Sequence, residues 1–252
     1  MLLAVDIGNT NVVLGLHDGK QWIENFRINT LVEESILFYK MKIVNYFLEK
    51  GIALEEVNTS VLSSVVPSLK STFENILLEL FGKAPVVAHP SAYPRLTLDI
   101  DRHDELGTDL FANAVAAHGL FKKDCIVVDF GTALTFTVVT KEGEILGVNI
   151  APGLKTAIQA LVGNTAQLPE VPLEIPESAI GKNTTSAIQN GILLGYVGLV
   201  RHQLASIRAE LGEQYIAVAT GGLSKILNGL KDDFEVVDMN LTLEGLRLIG
   251  EG

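Results

Sequence analysis

Two short passages, about half a chain apart, limit what these 252 residues can fold into. Each is an apolar run that ends in aspartate and reaches a glycine two places later. The first is Leu2 to Val5 and then Asp6-Ile7-Gly8-Asn9-Thr10-Asn11; the second is Cys125 to Val128 and then Asp129-Phe130-Gly131-Thr132-Ala133. A β-type run follows each one, Val12 to Leu16 and Thr135 to Val139. An apolar strand that ends in aspartate presents a carboxylate at the sheet edge, where it can hold a cation or its water shell. Glycine lets the backbone turn with no side chain in the way. Asn9, Thr10, Asn11 and Thr132 add small donors beside backbone N–H groups, a composition suited to phosphate oxygens. One copy reads equally well as an ordinary Asp/Asn/Gly hairpin turn. Two copies at matching places in matching strand orders weigh against that reading. No Gly-Lys-Ser/Thr phosphate-loop signature occurs.

The periodicity around the two turns repeats as well. After a third run, Trp22 to Ile28, apolar positions switch to helical spacing at Ile36, Leu37, Ile43, Val44, Phe47 and Leu48, closed by Gly51. Val61 to Val66 reads as a strand ended by Pro67, and Leu69, Phe73, Ile76, Leu77 and Leu80 line a helix face before Gly82. In the second half Ile145 to Ile150 is a third run. A long amphipathic helix from Ile188 to Leu211 follows, then a strand at Ile216–Ala219, a short helix at Leu223–Leu230, a strand at Val236-Val237 and a last helix around Leu243, Leu246 and Ile249. Three strands, then alternating helices and strands, occur twice. The expected architecture is α/β with two similar lobes, divided as residues 1–106 and 107–252.

Composition removes several function classes. Thirty acidic residues against nineteen basic ones give a net charge of −11, which argues against a general nucleic-acid binder. Apolar residues make up 48% of the chain and the mean hydropathy is +0.32, so disorder is excluded for most of it. A single cysteine, Cys125, excludes a disulfide scaffold and a cysteine zinc cage. The apolar start meets Asp6 too soon for a secretory signal, and the stretch Gly191 to Val200 is about half of a membrane span. A cytoplasmic, reducing-compartment globular protein with no membrane partner is expected.

The paired Asp-x-Gly-Asn/Thr turns resemble those of the superfamily of acetate kinase, sugar kinases, heat-shock ATPases and actin. In that superfamily two ribonuclease H-like lobes hold ATP phosphates between them. More closely, the chain is similar to the type III pantothenate kinase family in Asp6–Val13, Ser63-Ser64-Val65-Val66-Pro67, Glu105–Ala117, Val127–Thr132, Gly147–Gly153, Gly181–Gly191 with Gly195-Tyr196, and Ala219-Thr220-Gly221-Gly222. The resemblance implies transfer of the γ-phosphoryl group of ATP to pantothenate, with Mg²⁺, a monovalent cation (K⁺ or NH₄⁺) and a homodimeric active unit. It also implies an ATP site from Asp6, Ile7, Gly8, Asn9, Thr10, Asn11, Val12, Val13, Gly131, Thr132, Gly221 and Gly222. Asp6 would orient Mg²⁺ through water, and Asp129 would hold the monovalent cation. Asp109 aligns with the catalytic base, and Ile100, Gly107, Thr108, Asp109, Leu110 and Thr184 align with the acceptor region.

From pattern alone, Asp109 also reads as an ordinary N-terminal helix residue, and Asn183-Thr184 as a cap for the long helix. The Ile188–Leu211 helix is the expected dimer contact, with internal packing as the other reading. His17, His89, His103, His118 and His202 show no metal-ligand spacing, and Cys125 reads as an inert core thiol. The chain departs from the family pattern at Leu110, where arginine is usual, at Ile100 for tyrosine, at His103 for proline, at Val148 for glycine and at Leu134 for threonine. Arg102 is a nearby replacement for the missing arginine. These departures keep open a non-catalytic nucleotide- or pantothenate-binding relative, or a kinase for another hydroxylated acceptor.

Overall fold

Alternation along the first strand sorts its side chains before any helix packs on it. In the computed structural model, which describes residues 1–175, 178–222 and 228–252, β1 (Leu2–Ile7) turns Leu3, Val5 and Ile7 into one core. Leu2, Ala4 and Asp6 face the other way, as the period of two requires. β1 pairs antiparallel with β2 (Asn11–His17), which pairs antiparallel with β3 (Trp22–Asn29). On its other edge β1 pairs parallel with β4 (Thr59–Ser64), followed by β5 (Val86–Val87). The sheet order is therefore β3-β2-β1-β4-β5.

Helix α1 (Ile36–Lys50) and helix α2 (Pro67–Phe81) bury Tyr39, Ile43, Phe47, Phe73 and Ile76 against the Leu3-Val5-Ile7 face. Ser35 caps α1, and Gly51 and Gly82 close the two helices. Pro67 does more than end a strand: it is the first residue of α2, where its missing N–H costs nothing.

The two-residue strand β6 (Thr97–Leu98) and helix α3 (Thr108–Phe121) lead to the second strand set. β7 (Cys125–Phe130), β8 (Ala133–Val139) and β9 (Glu144–Pro152) are antiparallel, and β10 (Ile216–Thr220) and β11 (Val236–Val237) join β7 in parallel. Within this unit the order is β9-β8-β7-β10-β11, the same topology as the first sheet. Helix α4 (Leu154–Gly163), which the periodicity did not announce, precedes helix α5 (Thr184–Leu211). Leu193, Tyr196, Val200 and Leu204 of α5 fill a core with Ile126, Val128, Phe136 and Val138. The expected Leu223–Leu230 helix falls largely on residues 223–227, outside the described residues; Asn228–Asp233 forms a 3₁₀ turn.

The compact units are Met1–Leu120 with Leu241–Gly252, and Phe121–Asn240. This differs from the expected single division after residue 106, and packing gives the reason. The last helix, α6 (Leu241–Glu251), returns to the first sheet and covers the face that carries Leu2 and Val61, against which Gly250 lies. It also grips α3, because Gly245 sits against the backbone of Ala112 and Thr242 Oγ1 donates to Asn113 Oδ1 at 2.8 Å. Trp22 Nε1 donates to Glu244 Oε2 at 3.1 Å, and the Arg247 guanidinium binds the same carboxylate. α6 is thus held by the first sheet, and α3 is held by α6.

A β-carbon at position 245 would overlap the Ala112 carbonyl oxygen. Gly245→Ala gains about 1 kcal/mol of helix propensity. The overlap outweighs it, since overpacking costs about 1–3 kcal/mol. A lower urea midpoint with an unchanged slope is the expected result.

Candidate active site

Asp6 and Asp129 occupy the same place in their strands, the fifth of six residues, and both are half-buried between buried neighbours. After Asp6 the chain turns through Gly8, Asn9 and Thr10 into β2, where Asn11, Val12 and Val13 lie. The Gly8 N–H donates to the Asn11 carbonyl at 3.0 Å, and a β-carbon on Gly8 would stand 3.2 Å from that oxygen. Thr30, just beyond β3, braces the turn from outside: its hydroxyl donates to the Gly8 carbonyl at 2.7 Å and its N–H to the Thr10 carbonyl at 3.0 Å. Ile7 is buried, and its carbonyl accepts from Val65 N–H.

The second turn is built the same way with different braces. Gly131 N–H donates to the Ala133 carbonyl at 3.1 Å. The Thr132 carbonyl accepts from Gly153 N–H at 2.9 Å and from the Thr156 hydroxyl at 2.7 Å. The start of α4 therefore leans directly on the turn, and a β-carbon on Gly153 would come within 2.5 Å of the Thr132 oxygen. At the end of β10, Gly221 has φ +88, a backbone region that side chains resist. A β-carbon there would meet Phe130 N at 2.7 Å and overlap Asp129 Oδ1. Gly221 is thus brought against Asp129, and Gly222 follows it, exposed in the turn.

Asp109 lies in the first turn of α3. Its Oδ1 accepts from the Leu110 N–H at 2.8 Å, so the ordinary helix-terminus role is present together with any chemical one. Desolvation pushes its carboxyl above the usual carboxylate range, and hydrogen bonds from its own and the Leu110 N–H oppose that only in part. Gly107 leaves room for its present rotamer, because a β-carbon would stand 2.5 Å from Asp109 Oδ1. Thr108 does not present a loose hydroxyl: its Oγ1 accepts from Ser64 N–H and lies 2.9 Å from Ser63 Oγ. Leu110, in the arginine position, is buried at 8% exposure.

The remaining acceptor-side residues are more scattered. Ile100 is half-buried in a bend after β6, and His103 is exposed in a 3₁₀ turn. Arg102, the nearby replacement arginine, is exposed and paired with its own neighbours Asp104 and Glu105. Asn183 is the cap of α5, accepting from Ser186 N–H at 2.9 Å, and Thr184 is the first helical residue. Thr184 lines a cavity of about 560 Å³ with Leu161, Leu168, Lys182, Ile188 and Ile192.

The discounted residues have local employment. His17 Nδ1 accepts from Gly19 N–H, and His89 Nδ1 from Ser91 N–H, both as turn caps. Cys125 is buried, and burial with nearby Asp124 and Glu235 pushes its thiol up to about 12. The sequence reading missed Thr30, Thr156 and Gly153 as braces. A Thr or Gly near a turn is too common a signal to single them out.

Two sets of five strands in the same order, each with an Asp-x-Gly turn at its first hairpin, define the class as a ribonuclease H-like α/β protein of the actin type. Solved structures share this fold. A Baf-family transcriptional activator from Campylobacter jejuni matches with a TM-score of 0.61 and 21% identity, covering 98% of this chain and 96% of that one. MreB 5 of Spiroplasma citri bound to AMPPNP matches with a TM-score of 0.55 and 8% identity, covering 99% and 96%. The family follows from sequence: the type III pantothenate kinase model matches residues 2–206. The type III pantothenate kinase of Dehalococcoides mccartyi is 38% identical over 248 residues, covering 98% of this chain and 94% of the relative. That of Syntrophus aciditrophicus is 38% identical over 249 residues, covering 99% and 98%. The chain belongs to the type III pantothenate kinase family.

A carboxyl raised by desolvation holds its proton more tightly in the folded state than in the unfolded one, so stability falls as pH rises above the ordinary carboxylate range and the loss is complete above the folded value. Asp109→Asn is therefore expected to raise the melting temperature at neutral pH. The gain shrinks as pH falls to the ordinary carboxylate range, as thermal melts across pH will show.

Proposed function

We propose that this protein transfers the γ-phosphoryl group of ATP to the hydroxyl of pantothenate, giving 4'-phosphopantothenate in the first step of coenzyme A synthesis. The observation that carries the reading is the doubled Asp-x-Gly turn on the first strand of two five-strand sets with the same order. It is supported by family membership over nearly the full chain. The turns at Gly8–Asn11 and Gly131–Thr132 bind the phosphates, and Gly221-Gly222 lets the nucleotide approach the backbone. The acceptor hydroxyl attacks in line, and Asp109 takes its proton.

A single carboxylate at a strand end, beside a turn rich in backbone N–H groups, suits Mg²⁺, which usually keeps several waters and shares its ligands with phosphates. Asp6 would hold it in that way. Asp129, a hard oxygen donor packed against the backbone at Gly221, would hold the monovalent cation. The bound cations would supply neutralisation of charge on the phosphates. In a chain of net charge −11 that contribution is needed, because long-range repulsion works against binding of anionic ATP.

The reading includes a cytoplasmic homodimer. The apolar positions of α5 that suggested a dimer contact, Ile188, Leu193, Tyr196, Val200, Leu204 and Ile207, are buried within the chain. The outward face of α5 carries Gly191, Leu194, Gly195 and Gly198, and it is this face that we assign to the contact. Among the described residues no helix is long and apolar enough to cross a membrane.

The test is formation of 4'-phosphopantothenate from ATP and pantothenate with Mg²⁺ and K⁺ present. A folded, dimeric preparation that forms none overturns the assignment. Asp109→Asn is expected to lower kcat by at least about a hundredfold, the usual contribution of a positioned base. The acid limb of the kcat/KM profile should lie above the ordinary carboxylate range, because Asp109 must be ionised to accept the proton. Gly221→Ala is expected to raise KM for ATP, since its β-carbon displaces Asp129.

A further inference from the structure

We infer that the Ser63–Thr108 hydroxyl pair is a clamp that positions the Asp109 carboxylate relative to Asp6. The inference rests on Asp109 acting as base and Asp6 serving the phosphates, as proposed above. The Ser63-Ser64 stretch is part of the family resemblance, yet the reaction gives it no role of its own.

The parallel register of β1 and β4 sets Asp6 beside Ser63 and Ile7 beside Ser64. Ile7 faces the helix-covered core, so Asp6 and Ser63 share the opposite face of the sheet. Ser63 is fully buried there. Its hydroxyl lies 2.9 Å from Thr108 Oγ1, which also accepts from Ser64 N–H at 2.9 Å. One threonine hydroxyl thus ties the first residue of α3 to two consecutive residues at the end of β4.

The links on either side are short and stiff. Asp6 stands one strand spacing from Ser63, about 4.8 Å, and Asp109 one peptide step from Thr108, about 3.8 Å. Ser64 adds stiffness at the corner into α2, where its hydroxyl donates to the Val66 carbonyl at 3.0 Å. Loss of the clamp frees the start of α3 to shift against the phosphate turn. A misplacement of about 1 Å between reacting groups can cost about a hundredfold in rate. Thr108 then acts through Asp109 and is a positioning residue, which differs from its expected role as an acceptor contact.

The experiment compares Thr108→Val, Thr108→Ser, Ser63→Ala, the Ser63→Ala/Thr108→Val double variant and Asp109→Asn in full-length protein, with thermal melts alongside kinetics. Thr108→Val keeps the volume and removes the hydroxyl. The expected result is a fall in kcat of about ten- to a hundredfold, with KM for ATP and pantothenate within about threefold of the parent. Thr108→Ser keeps the hydroxyl and should restore most of kcat. The double variant should be no slower than Thr108→Val, because both changes break one interaction.

A rise in KM for pantothenate with kcat retained would instead make Thr108 an acceptor contact and overturn the clamp. So would parental kcat in Thr108→Val, loss of kcat in Thr108→Ser, or multiplied losses in the double variant. Should Thr108→Val fail to fold, Ser63→Ala decides on the same kcat and KM criteria. Asp109→Asn separates the two levels: if it turns over like the parent, the base assignment itself fails. If it is inactive while Thr108→Val is not impaired, the clamp alone fails.

Discussion

An aspartate placed one residue before the end of a central strand has to leave the core while both of its neighbours stay in it. The period of two along the strand enforces this at Asp6, between Val5 and Ile7, and again at Asp129, between Val128 and Phe130. The flanking apolar residues anchor the strand in a packed interior. The carboxylate is therefore held on the opposite face by the backbone. Everything that follows each aspartate, the glycine turn, the returning strand and the outside braces, is fitted to that position.

The braces show how each turn is held in shape without a motif of its own. Thr30 ties down the first turn by side chain and backbone together, whereas Gly153 and Thr156 do so for the second. Different residues at different sequence distances thus perform one mechanical task, since a backbone carbonyl can accept from any donor that folding brings near it. Gly221 is the more demanding partner. Its positive φ and its contact with Phe130 and Asp129 leave no room for a side chain, so the end of β10 and the end of β7 are shaped to each other.

Much of this was legible in the chain. The apolar runs at 2–5 and 125–128, the helical spacing of α1, α2 and α5, and the proline and glycine punctuation each gave an element that the structure contains. α4 was not legible. It is ten residues long, bracketed by Gly153 and Gly163, and only Leu154 and Ile158 are buried, too few to display a period. The division between units was also out of reach. α6 looks like the natural end of the second half, and only the packing of Gly245 on Ala112 and of Gly250 on Val61 returns it to the first sheet. Leu110 and Asp109 show the same limit at the site: adjacency in sequence could not say that one is buried and that the other's carboxyl is raised by desolvation.

Sequence alone determined most of the succession of strands and helices along the chain, the two Asp-x-Gly turns, the family and the candidate aspartates, because these depend on local pattern and on residue identity at short spacing. Tertiary structure decided which hydroxyls brace the turns, how α3 is tied to β4 through Ser63 and Thr108, and that Arg102 is engaged by Asp104 and Glu105. Ser63 and Thr108 lie 45 residues apart, and nothing in either residue names the other. A hydrogen bond requires its partners within about 3 Å. That proximity is a property of packed strands and helices, and a linear chain does not carry it.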